Sequence, residues 1–283
     1  MAELLTMSRI CLRRLLERTR SYAAFALTAI IVLLCYYKLP LLLDRHGMEF
    51  HAAEPFVMFF SSRETQLFLL LSFLLLAGDL PFLHEGMEFV VTRSTKRRWL
   101  LAQICALLLL ILLWLCWILF CTLVVFHGCV SFSNRWSRFL TLLARNNLDQ
   151  VQLSTLGFEL GVCPSAKMTA LCGPYGMLGM TFFLELLLFA SVSQWCLALN
   201  LWTKRSYGCA LTLFFWVVRY ALDMEPSLYP MARFSPLSLT DLHTAELTPA
   251  RLGWILLFFL AQIVPLLLLS ARRIRRVDLS RTG

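Results

Sequence analysis

Long apolar blocks alternate with short polar stretches along the whole chain. Six blocks stand out, at 22–43, 66–82, 99–126, 175–199, 207–222 and 252–270. A helix needs about 20 apolar residues to cross the hydrocarbon core of a bilayer, with roughly 17–25 usual. The third block is long enough to tilt or to project into water, and the fifth is the shortest. Uninterrupted leucine runs such as Leu107–Leu113 predict helices, because barrel strands would alternate apolar and polar residues over about 10 positions. The pattern predicts an all-α polytopic membrane protein with six transmembrane helices. It forms a single transmembrane domain over 1–283: an amphipathic N-terminal helix at 1–21, a membrane region at 22–270 and a basic tail at 271–283.

The largest gap between blocks, His127–Pro174, reads as a modest loop. Trp136, Phe139, Leu140 and Leu143 fall at helical spacing within it, which predicts a short interfacial helix. The first block is too long for the apolar core of a cleavable signal, about 7–15 residues, and reads as a retained anchor.

Composition agrees with the pattern. Of 283 residues, 59% are hydrophobic and 15% charged, against about 25% charged in soluble domains. Clustering of the apolar residues into blocks excludes ordinary core burial.

The formal net charge is +9, and its placement matters more than its size. With six spans, both termini lie on one side. That side collects sixteen of the 26 Lys and Arg, crowded against span ends: Arg9, Arg13, Arg14, Arg18 and Arg20; Arg93, Lys96, Arg97 and Arg98; Lys204 and Arg205; Arg272, Arg273, Arg275, Arg276 and Arg281. Nine lie on the other side, spread over longer loops, and Arg219 falls inside the fifth block. The positive-inside rule then places both termini in the cytosol of a plasma-membrane protein. The basic excess is thereby explained by the lipid bilayer, and no nucleic-acid partner is expected, because no basic soluble module with stacking aromatics is present.

Catalytic chemistry finds little to stand on. No phosphate-cradling G-x-x-x-x-G-K-[ST] loop occurs, so nucleotide hydrolysis by that route is not expected of this chain. His84-Glu85-Gly86-Met87-Glu88 lacks the second histidine that a zinc H-E-x-x-H site requires. No catalytic, cofactor or metal residues are assigned, and the chain is not expected to be an enzyme. Most of the ten cysteines fall within the blocks, where small polarizable packing is their ordinary role. Cys163 and Cys172 flank a short outer segment and would pair only in an oxidising exterior.

Charges inside the blocks are more informative. Glu185 sits about ten residues into the fourth block, roughly 15 Å deep. A carboxylate there must face helices, water or a partner, or take up a proton. Arg219 either snorkels outward or reaches inward to pair with Glu185. A direct transport role for the two is the third possibility. The stretch Gly78–Trp99, GDLPFLHEGMEFVVTRSTKRRW, is the most distinctive: Asp79-Leu80-Pro81 breaks the second block, and an acidic half precedes a basic one. Topology enforcement and anionic-lipid binding would explain the basic run, but not the acidic, Pro-containing half.

These features resemble the membrane subunits of type-2 ATP-binding-cassette exporters, in the small six-span form of Gram-positive bacteria. Leu4, Leu5, Ile10, Leu12, Leu15 and Leu16 interleaved with Arg9, Arg13 and Arg14 are similar to a basic surface helix. Asp79, Pro81, Phe82, Arg93, Ser94, Arg97 and Trp99 resemble a cytosolic link that docks on a separate ATPase, and Ser235–Ser238 is similar to a Ser-Pro-Leu-Ser run before the last span. The resemblance implies a non-catalytic permease that pairs as a homodimer or heterodimer and exports a substrate using a separate ATP-binding subunit, with Arg93, Arg97 and Arg98 in partner coupling. The alternative is a stand-alone membrane protein: a secondary transporter, which would want symmetric half-repeats, or a non-transporting scaffold or sensor component.

Overall fold

A computed structural model describes residues 2–45, 47–61, 63–78, 80–81, 95–144, 166–203, 207–224, 239–240 and 248–274. Helices dominate it: α1 (Ala2–Leu16), α2 (Thr19–Tyr36), α3 (Leu39–Arg45), α4 (Glu54–Ser61), α5 (Arg63–Ala77), α6 (Lys96–Val125), α7 (Arg138–Ala144), α8 (Ala166–Leu171), α9 (Pro174–Thr203), α10 (Tyr207–Met224) and α11 (Pro249–Ile274). Two short strands, β1 (Phe50–His51) and β2 (Val130–Ser131), pair in parallel.

The helix ends follow local chemistry. Thr95 caps α6 by accepting the backbone N–H of Arg98, and Thr248 accepts that of Arg251 at the start of α11. Both α9 and α11 open on proline, whose missing N–H costs nothing in a first turn. Gly47, with φ 58°, follows α3 and closes it with two reverse bonds, Gly47 N to Asp44 O and Met48 N to Leu43 O. That left-handed stop is easy only for glycine or asparagine.

The prediction of six spans is corrected here. Among the described residues, four helical segments are long and apolar enough to cross a membrane: Thr19–Arg45, Lys96–Val125, Pro174–Thr203 and Ala250–Ile274. A fifth exists only if the pair Glu54–Ser61 and Thr65–Ala77 counts as one broken span, bent by 90°. The physical reasons are local. The second block folds as a 15-residue α5 behind a sharp bend, at the polar Ser61-Ser62-Arg63-Glu64-Thr65 interruption. The fifth block becomes the 18-residue α10, which carries Arg219 and Asp223. The chain is an all-α polytopic membrane protein with four, or at most five, candidate spanning helices.

Packing shows how these helices meet. α2, α5 and α6 join through a buried polar node: Trp114 Nε1 donates to Thr28 Oγ1 at 3.1 Å, Thr28 Oγ1 lies 2.7 Å from Ser72 Oγ, and both hydroxyls reach the Ala24 carbonyl. In lipid, apolar side chains gain little by leaving the solvent, so such bonds help to choose helix partners. α9 and α11 run parallel: Ser191 donates to Gln262 Oε1, and eleven residues on, the Arg273 guanidinium lies over the Trp202 ring. Leu27, Ile30, Leu33 and Leu34 on α2 and Leu257, Leu260, Val264 and Leu268 on α11 are exposed. Such apolar faces suit acyl chains, not water.

The expected interfacial helix in 127–174 is found as α7, but its setting differs. Phe139 and Leu140 are buried, Phe139 packs on Phe50 of β1, and Trp136 donates to the Cys172 carbonyl. α7 belongs to a folded cap with β1, β2 and the start of α9.

Candidate functional site

The two ends of the bundle differ in chemistry. One end gathers α1, the exit of α5, the start of α6, the end of α9, the start of α10 and the end of α11. Its described cations include Arg9, Arg13, Arg14, Arg97, Arg98, Arg272 and Arg273. The other end is the cap.

At the basic end Asn200 is the organising residue. Its Nδ2 donates to the carbonyls of Gly78 and Leu80, at 3.1 and 2.7 Å, and its Oδ1 accepts the backbone N–H of Gly208 at 3.1 Å. One amide therefore ties the exit of α5 and the start of α10 to α9. The fit is close: a Cβ on Gly208 would stand 2.3 Å from the Cys196 Cα, and one on Gly78 would stand 3.0 Å from Cys209 Sγ. At Gly208 only a residue without a side chain lets the α9 and α10 backbones approach.

The same end holds α1 against α6. Ser8, Cys11 and Leu15 are buried, and Gln103 Nε2 reaches Cys11 Sγ at 3.5 Å. Arg9, Arg13 and Arg14 are exposed, and Leu5 and Ile10 are exposed beside them. α6 has 30 residues, about 45 Å of helix against roughly 30 Å of hydrocarbon. Its first turns are therefore free to project past the core and carry α1 with them.

The residues expected to couple to a partner divide. Arg97 and Arg98 are exposed in the first turn of α6. Arg93 lies outside the described residues, as do Asp79, Phe82, Ser94 and Ser235–Ser238. Glu185 is buried on α9 at 1% exposure, one turn from Phe182 and one from Phe189. Phe182 stacks on Phe56 of α4, and Phe189 packs on Phe73 of α5 and Trp114 of α6. Arg219 is on α10, with its side chain outside the described residues. Cys172 is described as a free cysteine, and Cys163 lies outside the described residues.

Sequence reasoning missed Asn200 and also Glu54, which organises the cap. The buried Glu54 carboxylate accepts the backbone N–H of His51 at 3.0 Å and that of Ser137 at 2.6 Å. His51 is buried too: its Nδ1 accepts the Ala53 N–H and its ring lies edge-on to Tyr175. Burial holds the His51 pKa below its ordinary value. A glutamate placed just before a proline, Glu54-Pro55, was the one available signal for this site. Among the described residues no cluster of three His, Cys, Asp or Glu is arranged to hold a metal ion.

No family model matches the chain, and neither a curated protein nor a solved structure matches it. With four or five candidate spans in place of six, the resemblance to type-2 ATP-binding-cassette membrane subunits does not hold. The motifs behind it were short runs of basic, proline and serine residues at membrane edges, which topology and helix ends produce on their own.

Proposed function

We propose that this multi-span protein is a non-catalytic transport subunit of the plasma membrane, driven through its basic end by a separate ATP-hydrolysing chain. The basic end faces the cytosol in this reading, because cations crowded at span ends favour that side. The observation that carries the proposal is the Asn200 junction. The segment leaving α5 is held at its root to α9 and α10 by the bonds to Gly78 and Leu80. The same segment re-enters the bundle at the Thr95 cap of α6, the helix that bears α1. A partner pulling on the 82–94 stretch would act on α5, α9 and α10 at one root and on α6 with α1 at the other. The chain itself contains no P-loop, so the energy would come from another chain.

The test is co-purification in mild detergent of the wild type and of a variant with Arg93, Arg97 and Arg98 all replaced by alanine. The wild type is expected to bring down an ATPase, and raised salt to weaken the complex, since rim charges are screened. The triple variant is expected to lose it while keeping its insertion, checked by thiol-labelling of the termini. Recovery of correctly inserted wild type with no ATPase would remove the proposal and favour a stand-alone membrane protein. Equal recovery with the variant would keep the partner and move its docking site elsewhere.

A further inference from the structure

Two free cysteines meet at the α9–α10 crossing. Cys196, fully buried on α9, faces the first turn of α10, where Cys209 directly follows Gly208. The approach is set by the backbone. Gly208, the neighbour of Cys209, makes the close approach to the Cys196 Cα, and the Asn200 amide, one turn further along the same face of α9, accepts the Gly208 backbone N–H. Cys209 Sγ is also wedged toward Gly78 of the α5 exit. Two cysteines placed at one clamped crossing differ from cysteines scattered through a bundle as packing residues, because the backbones beside them are already in contact.

We propose that Cys196 and Cys209 form a reactive dithiol which a hydroperoxide converts into a disulfide, locking α9 to α10 at the basic-end junction. The environment distinguishes the two sulfurs. Cys209 is third in an 18-residue helix, where the N-terminal dipole favours negative charge, and it is only partly buried. It is the attacking sulfur. Its thiolate attacks the outer oxygen of the hydroperoxide; the O–O bond breaks and Cys209 becomes a sulfenic acid. The leaving alkoxide takes up a proton and departs as an alcohol. The Cys196 sulfur, having lost its proton, then attacks the Cys209 sulfur, the S–O bond breaks, and water leaves. Two thiols and one hydroperoxide thus give one disulfide, one alcohol and one water, with two electrons passing from the dithiol to the peroxide. A dithiol reductant reverses the change. Cys196 serves as the resolving thiol, whose presence keeps the sulfenic acid from further oxidation.

The inference is independent of the ATPase partner, and its test reads thiols directly. In a variant whose other eight cysteines are alanine, membranes are exposed to tert-butyl hydroperoxide, denatured, and labelled with a polymer-bearing maleimide. Untreated protein is expected to take two additions. Oxidised protein is expected to take none, at unchanged monomer mass, and to regain both after dithiothreitol. With Cys196→Ala added, a 1,3-dione probe is expected to trap sulfenic acid at Cys209; with Cys209→Ala, no trapping at Cys196 is expected. The same disulfide is sought in wild-type protein as a cross-link between two tryptic peptides, since Lys204 and Arg205 separate the cysteines. The wild-type experiment guards against misfolding of the eight-fold variant. Two persisting additions, together with no cross-linked peptide from wild type under peroxide that fully oxidises a thioredoxin-type dithiol, would overturn the proposal. Trapping at Cys196 in place of Cys209 would overturn the order of attack.

Discussion

The Asn200 amide nitrogen donates to the Leu80 carbonyl at 2.7 Å, across 120 residues of sequence. The bond is one of three made by the same side chain, and their directions matter: two are donated and one is accepted. Asn200→Asp is therefore expected to destabilise the fold at least as much as Asn200→Ala. Aspartate is close in shape and keeps the acceptor for Gly208, but it turns an oxygen toward the carbonyls of Gly78 and Leu80. An unsatisfied buried group costs about 1–3 kcal/mol, although bonds between membrane helices average nearer 0.6. Unfolding in mixed micelles by denaturing detergent measures this; full stability of Asn200→Asp would show that the junction is not held by its donors.

Gly208 offers a steric test of the same junction. Gly208→Ala places a methyl 2.3 Å from backbone atoms of Cys196, which no rotamer change relieves, so α9 and α10 must move apart. Overpacking of this kind typically costs about 1–3 kcal/mol. Gly179→Ala on α9 and Gly253→Ala on α11 serve as controls, because nothing lies within 4 Å of the added carbon at either. Thermal aggregation in detergent is expected to come earlier for Gly208→Ala and unchanged or later for the controls, alanine being the better helix former.

Two buried groups pull the cap's pH dependence in opposite directions: burial raises the Glu54 pKa from 4.5 to about 7, so its share of the stability grows as pH falls, whereas the His51 share shrinks. His51 in the closed cap has a pKa lowered by burial, so the opened state binds protons more readily. The His51 contribution to cap stability is then fully present above the ordinary histidine value of 6.5. It falls as pH drops below it, by at most about 1.4 kcal/mol per pH unit, until the closed form also takes a proton. Protonation would convert Nδ1 from an acceptor of the Ala53 N–H into a donor facing it. Hydrogen exchange of the Phe50–Ala53 amides, followed from pH 7.5 to 5.5 with correction for intrinsic rates, reads the opening. A His51→Gln variant is expected to lose the acid-weakened share and to leave the opposite Glu54 dependence; an identical slope in the two proteins would show that His51 contributes nothing.

Much of the helical frame was legible, and the reason lies in continuity. The apolar run 99–126 became Lys96–Val125, 175–199 became Pro174–Thr203 and 252–270 became Pro249–Ile274, because each run is long enough to cross the bilayer as one helix. The run 66–82 was misread as a full span: its helix stops at Ala77, and the apolar residues 55–60 before it turn through 90° into α4. A break at Ser61–Thr65 looks on paper like an ordinary polar edge of a span. Glu185 stood out because a lone carboxylate in a leucine run is visible without a structure. Asn200 did not, since its worth depends on Gly78, Leu80 and Gly208, which no local spacing connects to it. Glu54 was hidden for the same reason: its second partner, Ser137, is 83 positions away.

Glu185 provides the last prediction. It lies eleven residues along α9, roughly 17 Å from the cap end of that helix, and is buried at 1% exposure one turn from the aromatic contacts of Phe182 and Phe189. Its surroundings are helix, not open water. Glu185→Gln keeps the shape and the capacity to hydrogen-bond while removing any charge, so it is expected to insert and accumulate like the wild type. Glu185→Lys adds a cation on a longer stem, near the middle of a helix and too far from either end to snorkel. Insertion scales put that cost at about 2.5–3.5 kcal/mol, and the packed position adds overcrowding by the extra methylenes. Its steady-state level in membranes is expected to fall severalfold below that of the glutamine variant. Quantitative immunoblotting of a terminal tag in isolated membranes, with synthesis matched by pulse labelling, makes the comparison. Equal levels of the two variants would mean that position 185 opens onto water, and a water-filled path beside α9 would then have to replace the packed interior described here.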